Sequence, residues 1–243
     1  MKSRYYAVMI LLCIVTIFSK STTANADDRY VKLCERYFTE FAEDYGKFGQ
    51  KDGFTYLYSD KKNTATIVAI PMEQKKVAVP EKINGKTVTK IELMDVFSCS
   101  SNYYFRDEFY GEHEDNPVPK VEYLSIPKTV KVINIYAGIG LTEGYCGELQ
   151  SYLVHLKKFN VASANKWYRS YKGMLYTKNG KKLLLVPRKY MAKTVKVKKG
   201  TTKIADFAFS FCTNIKKVIL PDTVKVIGQS AFVRCSLNYI RMP

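Results

Sequence analysis

Lys203-Ile204-Ala205-Asp206-Phe207-Ala208-Phe209-Ser210-Phe211-Cys212 is followed, 23 positions on, by Val226-Ile227-Gly228-Gln229-Ser230-Ala231-Phe232-Val233-Arg234-Cys235. Ile204 aligns with Ile227, Ala208 with Ala231, Phe209 with Phe232 and Cys212 with Cys235. An alternating apolar run follows each cysteine: Ile215, Val218 and Leu220-Pro221 in one copy, and Leu237, Ile240 and Met242-Pro243, one residue shorter, in the other. Alternation at period two sends every second side chain of a short strand into a core. A unit of 23 residues cannot bury its apolar face alone, so successive units must stack. The spacing therefore predicts a repeat solenoid with Ile204, Phe209, Val218, Leu220, Ile227, Phe232 and Ile240 buried.

Degenerate copies lie upstream. Val121, Leu124, Ile126-Pro127, Val130 and Ile133 keep the distance from the strand proline to the next isoleucine. Leu149, Tyr152 and Val154 repeat the strand, with Cys146 three positions before Leu149, as Cys212 precedes Ile215. Val77, Val79-Pro80, Val88, Ile91, Phe97 and Cys99 supply a first copy, opened by Ile83-Asn84-Gly85-Lys86. The order Ile-Pro or Leu-Pro, Val-x-x-Ile, then Ala-Phe-x-x-Cys-x-x-Leu resembles the BspA-like leucine-rich-repeat family across most of the chain. That resemblance implies an α+β fold: a right-handed leucine-rich-repeat solenoid with short parallel strands, β-hairpin inserts and an N-terminal helix. Gly53 to Ile67 and Asn165 to Pro187 resemble the family's non-repeat elements, and both read as hairpins. Asn179-Gly180 between apolar strands is the strongest short hairpin signal in the second. The segment Asn134 to Gly144 departs from the pattern, as does the irregular run Ser100 to Pro119.

The first residues run from Lys2 and Arg4 through an apolar stretch, Ala7 to Phe18, to Ala24-Asn25-Ala26. That order predicts a cleavable signal peptide with cleavage near Ala26, and hence a secreted or cell-surface protein without a transmembrane segment. Tyr30, Val31, Cys34, Tyr37, Phe38, Phe41 and Tyr45 recur at helical spacing behind Asp27-Asp28, predicting an amphipathic helix that covers the first coil. The expected organisation is signal peptide 1–26, helix or cap 27–50, β-hairpin 51–76, degenerate repeats 77–160, inserted hairpin 161–191 and regular repeats 192–243. Cys99, Cys146, Cys212 and Cys235 share one repeat position, so free buried thiols are expected, the alternative being bridges between stacked equivalents.

Nothing in the sequence spells out catalysis. Gly-x-Ser-x-Gly, His-Glu-x-x-His and phosphate-loop patterns are absent, His113 and His155 are isolated, and no Cys-x-x-Cys occurs. The expectation is therefore a binding protein with no catalytic residues, cofactor or metal. Charge is uneven: residues 27–119 hold 13 basic and 17 acidic side chains, residues 120–243 hold 23 and 5, and none of the acidic ones lies between Glu148 and Asp206. In Val195-Lys196-Val197-Lys198 the valines point inward and the lysines outward. Lys181, Lys182, Arg188, Lys189, Lys193, Lys196 and Lys198 are the candidate polyanion- or partner-binding residues, with Ser125, Ile219 and Arg241 expected at positions equivalent to Lys196. Tyr103, Tyr104, Phe105, Phe109 and Tyr110 form a second candidate contact, an aromatic loop. The expected ligand is a host or matrix protein or an anionic polysaccharide or other polymer, in line with the surface attachment linked with several BspA-like proteins. The alternative is an accessory envelope scaffold without a host ligand. No nucleic-acid partner is expected, since no base-reading motif accompanies the charge.

Overall fold

The computed structural model describes residues 47–71, 73–93, 119–134 and 153–243. The signal peptide, the helical stripe from Tyr30 to Tyr45, the aromatic loop and Cys34, Cys99 and Cys146 lie outside the described residues. Among the described residues there is no α-helix, so the α component of the expected class has no counterpart in them.

Strands β1 (Lys47–Lys51), β2 (Phe54–Ser59) and β3 (Thr64–Ala69) form an antiparallel meander. Its first turn is Asp52-Gly53, both residues at positive φ (50° and 79°), the backbone a two-residue hairpin of matching twist requires. The chain continues through β4 (Lys76–Ala78), β5 (Lys82–Ile83), β6 (Lys86–Ile91), β7 (Tyr123–Ile126), β8 (Val132–Ile133) and β9 (Lys158–Val161). Two parallel ladders result. β3, β6 and β8 extend the meander, while β4, β7 and β9 make a separate sheet.

The arrangement then recurs. Strands β10 (Tyr168–Tyr171), β11 (Met174–Thr177) and β12 (Lys182–Leu185) form a second meander. It is extended in parallel by β14 (Lys203–Ile204) and β16 (Val226–Ile227), and β13 (Thr194–Lys196), β15 (Lys217–Ile219) and β17 (Tyr239–Arg241) form the companion sheet. The hairpin expected at Asn179-Gly180 is present, with a longer loop than a two-residue turn. Only Gly180 has positive φ there, and the Asn179 side chain accepts from Lys181 N at 3.0 Å and Thr177 Oγ1 at 2.8 Å.

The second meander separates two cores. Leu175, Leu184 and Leu185 join the first, with Ile67, Leu124 and Phe159, whereas Met174, Tyr176, Leu183 and Val186 join the second, with Ile204, Phe209 and Val218. Both faces of β11 and β12 are buried, which explains their near-continuous apolar sequence. Phe209 and Phe232 stack with ring centres 4.8 Å apart, as their shared repeat position requires. Ile204, Phe209, Val218 and Leu220 are fully buried, but Ile227, Phe232 and Ile240 are only partly so, contrary to the expectation that both copies would be equally covered. Among the described residues β16 pairs with β14 alone and β17 with β15 alone, so these strands pack on one described neighbour instead of two.

Candidate functional site

Alternation along β13 leaves Thr194 and Lys196 exposed on either side of buried Val195. Parallel register then stacks outward positions coil on coil: Thr194, Lys217 and Tyr239 in one row, Lys196, Ile219 and Arg241 in the next. Ser125 holds the corresponding place in the other sheet, between Ala78 and Asn160. The turns entering these strands stack as well. Lys216 N and Lys217 N donate to Lys193 O at 2.8 and 3.0 Å, and Asn238 N and Tyr239 N donate to Lys216 O at 2.9 and 3.2 Å. Lys196, Lys217 and Arg241 thus lie on one face of this sheet, and Lys193 and Lys216 stack in the turns that enter it. The Lys217 ammonium lies 4.7 Å from the centre of the Tyr239 ring, and Arg241 pairs with Asp222 at 3.0 Å.

The same column in the first half is built differently. There Lys75, Glu122 and Lys157 stack, Glu122 N donating to Lys75 O and Lys157 N to Glu122 O, both at 2.8 Å. Lys157 pairs with the Glu122 carboxylate at 2.8 Å and, through that hydrogen bond, holds its pKa below the ordinary value. No acid occupies the matching place in the second half. Among the described residues, Lys193, Lys196 and Lys217 meet no carboxylate.

The remaining candidates occupy other edges. Lys182 pairs with Lys203, and Thr202 N and Lys203 N donate to Lys181 O, placing Lys181 and Lys182 on the ladder of β12, β14 and β16. Lys198 joins that edge: its backbone N donates to Tyr176 OH at 3.3 Å, and its side chain packs on Gly180. Tyr176 is buried, which pushes its phenol up to about 12 and keeps it neutral. Arg188 and Lys189 sit at a third edge, Lys189 N donating to Leu156 O and Arg188 stacking on Phe211. The cause is the coil itself: the chain turns between β12, β13 and β14, so residues adjacent in sequence point to different sides. Lys216, Lys217 and Arg234 were not singled out from the sequence, though the 23-residue period was the signal that could have placed them.

The two described cysteines are free. Cys212 Sγ lies 3.7 and 3.6 Å from Val186 O and Pro187 O, and Cys235 Sγ lies 2.8 Å from Phe209 O. Burial raises both thiol pKa values, so neither is a ready nucleophile.

A family model described as a BspA type leucine rich repeat region (6 copies) matches residues 189–243. These residues belong to the BspA-type leucine-rich repeats. No match was found among curated proteins. Among solved structures the chain is similar to the pneumococcal vaccine antigen PcpA, at 16% identity over 82% of this chain and 71% of that one, with a TM-score of 0.41. It is likewise similar to a leucine-rich-repeat protein of T. pallidum (17% identity, 81% and 72% covered, TM-score 0.41). A leucine-rich cell surface protein from Faecalibacterium prausnitzii gives 15% identity over 83% and 78% of the two chains, with a TM-score of 0.37. The BspA-type stretch contains Lys193, Lys196, Lys198 and all of β13, β15 and β17, while Lys181, Lys182 and Arg188 precede it.

Proposed function

We propose that the chain is an exported, non-catalytic binding module whose second half captures an anionic polymer or acidic partner through Lys193, Lys196, Lys216, Lys217 and Arg241. One observation supports this reading: in the first half's column the Glu122 carboxylate pairs with Lys157, whereas the equivalent place in the second half is taken by Lys216. Cations held at fixed spacing on a sheet, of which Lys193, Lys196 and Lys217 meet no carboxylate among the described residues, make a field that speeds capture of polyanions and weakens with salt. On immobilised heparin the protein should be retained at low ionic strength and released by moderate salt. Replacing Lys193, Lys196 and Lys217 with glutamate should abolish most retention, whereas the same change at Lys51, Lys61 and Lys75 should leave it nearly intact. Equal retention of the two triple variants would reject the assignment of this surface.

A further inference from the structure

The ladder of β12, β14 and β16 stacks its lysines by the same plan as the ladder of β13, β15 and β17. Thr202 N and Lys203 N donate to Lys181 O at 2.7 and 3.1 Å, and Lys225 N and Val226 N donate to Thr202 O at 2.9 and 3.3 Å. Lys181, Thr202 and Lys225 therefore stack in the turns that enter the strands. Parallel register puts Lys182, Lys203 and Val226 in the next row and Leu183, Ile204 and Ile227 in the row after it. Leu183 and Ile204 are fully buried, in the same core as Val195 and Val218 of the other ladder. Alternation turns Lys182 and Lys203 away from that core, as it turns Lys196 and Lys217 on the other ladder. The two sets of lysines thus leave one shared core on different sides.

The corresponding ladder of the first half carries an acid. There Lys90-Ile91 pairs with Val132-Ile133 as Lys203-Ile204 pairs with Val226-Ile227. Glu92 N donates to Ile67 O at 2.8 Å, and Ala205 N donates to Leu183 O at 2.9 Å, so Glu92 and Ala205 hold the same place in the two ladders. The Glu92 carboxylate pairs with Lys90 at 2.6 Å and accepts from Asn134 Nδ2 at 2.9 Å. Ala205 gives Lys203 no such partner. The two carboxylates of residues 153–243 are engaged elsewhere, Asp206 accepting from Gln229 N at 2.9 Å and Asp222 pairing with Arg241 at 3.0 Å. Among the described residues, Lys181, Lys182, Lys203 and Lys225 form no ion pair.

We propose that this ladder is a second polyanion-binding face, centred on Lys181, Lys203 and Lys225, and that the second half of the chain bridges two anionic polymer chains. The proposal rests on the polyanion reading above for its ligand class and adds a second surface and a bridging activity. A stiff polymer cannot lie along both ladders at once, because the shared core stands between their outward faces. Bridging strengthens retention on a polymer matrix, since the second contact forms at the local concentration set by the first.

The test counts ligands on the full chain. A heparin-type tetrasaccharide, titrated calorimetrically at low ionic strength, should bind with a stoichiometry of two per chain. Changing Lys181, Lys203 and Lys225 together to glutamate should remove one of the two, as should the column variant at Lys193, Lys196 and Lys217. Both triple variants alter the net charge equally, so the stoichiometry reports a face and not the overall field. Long heparin chains should cross-link the parent into light-scattering assemblies that dissolve at moderate salt, while either variant stays clear. Lysine acetylation of the unsubstituted chain, read by mass spectrometry, tests the face without relying on a variant that folds. Saturating tetrasaccharide should protect Lys181 and Lys225 as well as Lys193 and Lys196, with Lys51 and Lys61 still reactive. A stoichiometry of one in the parent, or protection confined to Lys193 and Lys196, would overturn the second face. If the column variant abolishes that single binding event, the lysine-column reading stands; if only the ladder variant does, that reading falls too. Failure of the parent to bind the tetrasaccharide or long heparin would overturn both.

Discussion

Phe209 and Phe232 hold the same repeat position, stack ring on ring, and differ in what surrounds them. Phe209 is fully buried, while Phe232 is only partly buried and, among the described residues, has a neighbouring coil on one side. Truncating a fully buried ring removes its transfer free energy and leaves a cavity. Phe209→Ala is therefore expected to cost about 3–5 kcal/mol, and Phe232→Ala roughly half as much because its site is already partly wet. Urea denaturation midpoints measure both, and equal losses would contradict the difference in burial. The period disclosed the equivalence of these residues but not their coverage, which depends on how many coils pack around each. Gly228 was less legible still. It occupies the place of Ala205, yet an added Cβ would fall 2.1 Å from Asp206 Oδ1 and 2.3 Å from Asp206 N, a constraint set by the neighbouring coil.

The second meander depends on a buried polar clamp. Asn165 is fully buried, and its Nδ2 donates to Pro127 O at 2.8 Å and to Val130 O at 2.9 Å, while its Oδ1 accepts from Trp167 N and Tyr168 N, both at 2.8 Å. All of its hydrogen-bonding capacity for donation is used, and the entry to β10 is tied to the coil that follows β7. Tyr168 OH extends the connection by accepting from Ile133 N at 3.0 Å, where β8 would otherwise present an open edge. Asn165→Ala orphans these partners in a dry site and is expected to cost about 2–4 kcal/mol. Trp167, the chain's one tryptophan, reports the loosening directly: its emission should shift to the red before global unfolding. An unshifted spectrum and an unchanged midpoint would mean that water replaces the amide without loss. The sequence announced this meander through Asn179-Gly180 and the run Leu183 to Val186. It did not disclose that the run serves two cores, because a continuous apolar strand reads the same whether one core or two receives it.

Across the whole molecule the two halves share one plan, a meander whose last strand is extended in parallel beside a separate three-stranded ladder. The plan is legible in Gly53-Phe54-Thr55-Tyr56 with Ile70-Pro71, and again in Gly173-Met174-Leu175-Tyr176 with Val186-Pro187. The basic surfaces were less legible, since the coil distributes consecutive lysines around three edges. The halves also differ in how acid should affect them. In the first, Asp60 bridges the meander to β6 by pairing with Lys47 at 2.8 Å and Lys86 at 2.6 Å. Hydrogen bonds from those lysines lower its pKa from the usual value of about 3.9 to about 2. Folded Asp60 binds a proton less readily than unfolded Asp60, so its stabilisation is present above about pH 4 and is lost as pH falls towards 2. Glu122, lowered by Lys157, acts in the same direction. Residues 153–243 contain only two carboxylate side chains, Asp206 and Asp222, so acid changes their charge little. As pH is lowered from 6 towards 2, amide exchange corrected for its intrinsic pH dependence should accelerate first in β1 to β6, with β13 to β17 protected longer. Asp60→Asn should flatten that response in the first half and leave the second unchanged. Earlier loss of protection in β13 to β17 would mean that repulsion within the basic half, rather than loss of the Asp60 and Glu122 pairs, governs acid stability.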